Sequence, residues 1–157
     1  MVRRYVFIIL ILAANAAFAQ HASVVKFDRL QALLESQSDQ IQVVNFWATW
    51  CGPCVKELPL FEALNSKKDS GVKVTLINLD YADQLEKVNR FLNQKKLRTE
   101  VLLLDEIDYN TWIDLVDKSW GGAIPATLVF NPKTGQRKFV DKPLAEGDLD
   151  KIIAALK

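Results

Sequence analysis

Short apolar runs alternate along the chain with segments whose apolar residues recur every three or four positions, the pattern of strands and helices taken in turn. Residues 24–26 read as a short edge strand, and Phe27, Leu30, Leu33 and Leu34 give residues 27–36 a helical spacing. Residues 41–48 are dense in Val, Ile and aromatics, as a central strand covered on both faces should be. From 52 to about 66, Val55, Leu58, Phe61 and Leu64 repeat every three residues, while Pro59 removes one helical hydrogen bond. A long helix kinked near Pro59 is predicted.

Val72, Val74 and Leu76 alternate with polar residues in a strand over 72–79, and Asp80-Tyr81-Ala82-Asp83 supplies helix-capping chemistry. Leu85, Val88, Phe91 and Leu92 then stripe a third helix ending near Lys95 and Lys96. Residues 101–104 form another buried strand, and residues 109–118 a short helix stopped by Gly121-Gly122. Strands at 126–130 and 136–140 flank the turn 131–135, and a helix over 148–156 closes the chain. The order predicts an α/β fold with a mixed central sheet flanked by helices and ending in an antiparallel hairpin. No repeat or low-complexity tract marks a second domain.

The first residues change the picture of where the protein works. Arg3 and Arg4, an apolar stretch over 5–14 and the small-x-small triplet Ala17-Phe18-Ala19 have the layout of a secretion signal spanning 1–19, with a mature domain of 20–157. The apolar stretch is short against the roughly 20 residues of a membrane span. The expected product is an exported, periplasmic, soluble protein, with an uncleaved membrane anchor as the alternative. The formal charge is +1, and without Arg3 and Arg4 it is 18 basic against 19 acidic residues, or −1. Nucleic acid is not an expected partner, since phosphate binding needs a clustered basic surface.

Candidate chemistry concentrates at Cys51-Gly52-Pro53-Cys54, which holds the only two cysteines. Sulfurs three positions apart at a strand-to-helix junction can close a small disulfide and reopen it. So small a loop removes little unfolded-state entropy, so the pair is suited to exchange rather than stapling. A helix starting there favours the Cys51 thiolate through its free N–H groups and dipole, making Cys51 the exposed nucleophile. Cys54, one turn further in and facing the core, becomes the resolving thiol. Gly52 and Pro53 set the redox poise. Trp50 is placed at the surface as part of an apolar rim for substrates; Trp47 fits rim or core equally, and Trp112 and Trp120 fit core. His21 falls in a mature N-terminus expected to be disordered, and two sulfurs without further ligands make no structural zinc site. No metal and no cofactor are expected. Asp105, Glu106 and Asp108 read as a solvated helix start.

The segment Phe46-Trp47-Ala48-Thr49-Trp50-Cys51-Gly52-Pro53-Cys54, with the distant Gly122-Ala123-Ile124-Pro125-Ala126-Thr127, resembles the thioredoxin fold. Val44-Asn45-Phe46, Lys56-Glu57-Leu58-Pro59 and an added helix and strand over roughly 83–104 make it most similar to the TlpA/ResA-type branch of exported thiol-disulfide reductases. The resemblance implies a cis bond before Pro125, facing the sulfurs, with Ile124 offering its backbone to an extended substrate. It also implies that Glu57 is the acid-base group, because Asn45 stands where ordinary thioredoxins have a buried aspartate. A partly buried carboxyl there has a raised pKa and can accept the proton of the resolving thiol, and Glu57→Gln at an exposed to half-buried helical position is expected to leave folding largely intact; the other reading is a solvated residue of the first helical turns. The Gly-Pro tetrad resembles that of thioredoxin, whose potential is about −270 mV against about −120 mV for the oxidant DsbA.

The reading that follows is a thiol-disulfide oxidoreductase working as a protein-disulfide reductase. Cys51 attacks, Cys54 resolves and Glu57 takes the proton. The family resemblance implies a membrane thiol-transfer protein as electron donor and a place in cytochrome c maturation or periplasmic thiol maintenance. The chain is expected to act as a monomer. Rival readings are a disulfide-donating oxidase and a non-redox peptide-binding module with an incidental tetrad; a thiol peroxidase would need a different local motif around its cysteine.

Overall fold

A computed structural model describes residues 19–67 and 70–157, so the leader read at 1–19 lies, but for Ala19, outside the described residues. The elements follow in the order β1 (Ser23–Val25), α1 (Phe27–Leu34), β2 (Ile41–Trp47), α2 (Gly52–Ser66), β3 (Val72–Asn78), α3 (Leu85–Gln94), β4 (Glu100–Leu104), α4 (Ile113–Val116), β5 (Ala126–Phe130), β6 (Arg137–Val140) and α5 (Asp148–Ala155). They build one six-stranded sheet in the order β1-β4-β3-β2-β5-β6. β2 pairs parallel with β3 and antiparallel with β5, and β5 pairs antiparallel with β6, as the final hairpin requires.

Side chains alternate across β2, and the two faces meet different helices. Val43 and Trp47 join Leu58 and Phe61 of α2, Val88 and Leu92 of α3 and Ile153 of α5 in one core. Val44 and Phe46 join Leu30 of α1, Trp112 and Val116 in the other. That double cover is why β2 is buried along its length and dense in apolar residues, with Gln42 and Asn45 its polar exceptions. Trp47 is fully buried and lies 5.5 Å from the Phe91 ring, so it is core and not rim. Trp112 and Trp120 are also core, 5.7 Å apart and each packed against Phe46.

Several local expectations are corrected. The first strand begins one residue early, at Ser23, because its pairing with β4 aligns Ser23 with Leu102. The predicted helix over 109–118 divides into a 3-10 turn at Tyr109–Thr111 and the single α-turn α4. Asp80 and Asp83 make no side-chain cap at the 3-10 turn Ala82–Gln84 or at α3; Asp80 is used elsewhere. Asp105 pairs with Lys26 at 2.9 Å rather than standing as a solvated helix start. The N-terminal arm is tied down, with the backbone N–H and carbonyl of Gln20 bonded to Asn93 and the Ala22 N–H to Asn89. As expected, α2 is one long helix with Pro59 inside it, a residue with no N–H to donate to the preceding turn.

Candidate active site

The carboxyl end of β2 delivers the redox tetrad. A turn closed by the Cys51 N–H to the Ala48 carbonyl, 3.1 Å, leads into α2, of which Cys51 is the N-cap in extended conformation. Its sulfur accepts the Cys54 backbone N–H at 3.3 Å and its carbonyl accepts the Val55 N–H at 3.0 Å. One orphan donor of the helix start therefore points at the Cys51 sulfur, where it would stabilise a thiolate once the pair is reduced. Pro53, in the first turn, lacks an N–H that would have no partner there.

Cys51 and Cys54 are joined as a disulfide, with Cα atoms 5.3 Å apart. Cys54 is wholly buried, and Cys51 keeps 6% of its surface. Cys51, expected to be exposed, is itself buried in the disulfide, with the loop before β5 lying against it, and only Cys54 has the burial expected of it. That loop crosses the sulfur: the Ile124 carbonyl oxygen lies 3.8 Å from Cys51 Sγ, and the bond from Ile124 to Pro125 is cis. Gly122 turns the loop at φ +83°, a conformation costly for a side chain, and the Trp120 indole donates to the Ala123 carbonyl at 2.8 Å. Trp120 is a loop support that sequence reasoning filed only as core.

Trp50 is 65% exposed, the surface position expected of it. With Leu79, Tyr109, Asn110, Ile113 and Ile124 it lines a groove beside the tetrad. Gly52 and Pro53 are exposed at the start of α2.

Glu57 is 3% exposed, which overturns the expectation of an exposed to half-buried helical charge. The physical reason is its place on the inward stripe of α2, with Cys54, Leu58, Phe61 and Leu64. One carboxyl oxygen accepts from Asn45 Nδ2 at 2.8 Å and the other from the Leu144 N–H at 2.8 Å. Asn45 Nδ2 also reaches Thr127 Oγ1 at 3.0 Å, so Glu57 is tied to β2, β5 and the segment before α5. Burial pushes its carboxyl above the usual carboxylate value, against the lowering effect of the Leu144 and Asn45 hydrogen bonds. A carboxyl so placed, one turn beyond Cys54, can hold or accept a proton. Leu144 had no signal in the sequence, being a loop residue that acts through its backbone.

Among the described residues no three His, Cys, Asp or Glu side chains cluster to hold a metal ion, and no helix is long and apolar enough to cross a membrane.

The AhpC/TSA family pattern matches residues 19–136. The thiol-disulfide oxidoreductase ResA of Bacillus thuringiensis (strain Al Hakam) is 39% identical over 61 residues, 38% of this chain and 34% of that protein. The chain thus aligns with about a third of that relative's length. Among solved structures, the thioredoxin-related protein from Neisseria meningitidis serogroup B is 27% identical, with a TM-score of 0.65 over 78% of this chain and 88% of that one. StoA from Bacillus subtilis is also 27% identical, with a TM-score of 0.57 over 74% and 84%.

Proposed function

The chain belongs to the AhpC/TSA family and has the thioredoxin-like fold, and from that premise we propose that it is an exported thiol-disulfide oxidoreductase working as a protein-disulfide reductase. The observation that carries this reading is the pairing of Cys51 and Cys54 at the start of α2, with Cys51 under the Ile124 carbonyl and Cys54 sealed behind it. Its similarity to ResA, a thiol-disulfide oxidoreductase, supports the same chemistry.

In the reduced protein the Cys51 thiolate attacks one sulfur of a substrate disulfide. A mixed disulfide forms and the other substrate sulfur leaves as a thiolate. The Cys54 thiol gives up its proton, for which Glu57 is the acceptor in this reading, and its sulfur attacks Cys51 Sγ. The substrate departs with both sulfurs reduced, and the two electrons have left the Cys51–Cys54 pair, which is again a disulfide. A thiol donor must restore them, and a membrane thiol-transfer protein suits an exported chain. The backbone at Ile124 pairs with an extended substrate segment, and Trp50 docks it beside Gly52 and Pro53. Cytochrome c maturation or periplasmic thiol maintenance is the proposed setting. The segment 1–19 acts as the export signal, and the mature protein works as a monomer.

Two measurements bear on this. With dithiothreitol as electron source, the protein is expected to accelerate reduction of a protein disulfide well beyond dithiothreitol alone; no acceleration would contradict the reading. Trp50→Ala should raise KM for a protein substrate about tenfold, a loss of the size set by one buried aromatic contact. Its unfolding free energy should stay within about 0.5 kcal/mol of the parent, since the side chain is mostly in water. Unchanged KM would remove Trp50 from the docking surface.

A further inference from the structure

Asp80 is a buried carboxylate that the chemistry above leaves unused. It follows β3, and its side chain is fully shielded from solvent. Four donor groups converge on it: the Thr49 backbone N–H at 2.7 Å, the Thr49 hydroxyl at 2.5 Å, Asn78 Nδ2 at 2.9 Å and the Lys87 ammonium at 3.6 Å. Asn78 also accepts the Asp80 backbone N–H at 3.1 Å, which fixes the carboxylate's own approach. An ionised carboxylate is acceptor-only, and no other side chain of this length satisfies such a set. An asparagine would turn its NH2 towards groups that themselves donate.

The clamp matters because of what it holds. Thr49 lies two residues before Cys51, in the turn between β2 and α2, and it is followed by Trp50, most of whose surface is in water. Sheet pairing ends at Trp47, and the Cys51 N–H bond to the Ala48 carbonyl closes the turn without using a polar group of Thr49 or Trp50. The Thr49 N–H and hydroxyl both reach one buried carboxylate, which holds residue 49 within that turn. Lys87 belongs to α3 and brings a compensating positive charge to the buried carboxylate.

We propose that Asp80 is a positioning residue for the disulfide exchange proposed above: through Thr49 it fixes the turn that presents Trp50 to the substrate and Cys51 to the start of α2. This rests on the redox reading, and the test separates the two. In the reduced full chain, the iodoacetamide alkylation rate of Cys51 is measured together with kcat and KM for a protein disulfide, and with thermal unfolding to establish the folded fraction. Asp80→Asn is expected to remain folded at the assay temperature, to alkylate about tenfold more slowly at Cys51 and to lose a similar factor in kcat, as a small misplacement of a reacting group does. Thr49→Val, which keeps the backbone bond and loses the hydroxyl, should show a smaller loss in the same direction. A folded Asp80→Asn protein with the parent's alkylation rate and kcat overturns the proposal. If that variant does not fold, a folded Thr49→Val protein with the parent's values overturns it instead. A parent that reduces no protein disulfide defeats the redox reading, while the alkylation comparison still decides the role of Asp80.

Discussion

Cys51→Ser is expected to abolish disulfide reduction, by more than about a thousandfold, because it removes the nucleophile through which the covalent intermediate forms. Cys54→Ser is expected to behave differently. It keeps the attacking sulfur and loses the resolving one, so it should accumulate a mixed disulfide through Cys51, visible as a protein adduct by mass spectrometry. The asymmetry follows from geometry: Cys51 is the N-cap that receives the Cys54 N–H and retains some surface, whereas Cys54 retains none. Neither variant should unfold, since the closed loop is too short to stabilise the chain much. Retained activity in Cys51→Ser, or faster alkylation of Cys54 than of Cys51 in the reduced parent, would contradict the assignment.

The next largest effect is expected from Glu57→Gln. Each carboxyl oxygen accepts one hydrogen bond, from Asn45 or from the Leu144 N–H, and the glutamine amide can accept from only one of them. The other donor is left facing an NH2 group in a buried site, at a cost of about 1–3 kcal/mol. Disulfide reduction near neutral pH should fall by roughly a hundredfold if Glu57 takes the Cys54 proton. The pH dependence has a definite sign. Burial raises the folded-state pKa above the unfolded value near 4.5, so the folded chain holds the Glu57 proton more tightly than the unfolded chain. The resulting stabilisation is full below the unfolded value and is lost as pH rises through the raised folded value. Urea unfolding between pH 4.5 and neutrality should show that loss in the parent and not in Glu57→Gln. Identical pH profiles of rate and stability in the two proteins would reduce Glu57 to a tethering residue.

The framework of the fold was legible because apolar periodicity was strong where two helical layers cover one sheet. The density of Val, Ile and aromatic residues in β2 announced a central strand, and the tetrad after it marked the strand-to-helix junction. What escaped was polar and non-local. Glu57 was legible as the acid-base candidate through the family resemblance, but the depth of its burial, at the inward spacing Cys54, Glu57, Leu58, Phe61 of α2, was not, because carboxylates are rarely fully buried. Leu144 contributes a backbone N–H, which no side-chain pattern encodes. Asp80, sitting where a helix cap was expected, turns back across 31 residues to Thr49, a pairing visible only once β2 and β3 are side by side.

The most direct test of a reducing role is the equilibrium potential of the Cys51–Cys54 pair, titrated in dithiothreitol or glutathione buffers with the oxidised fraction read by alkylation. With Gly52 and Pro53 between the sulfurs and the Cys54 N–H on Cys51, a value nearer thioredoxin's, about −270 mV, than DsbA's, about −120 mV, is predicted. A potential close to that of DsbA would contradict a reductase and make the protein a donor of disulfides.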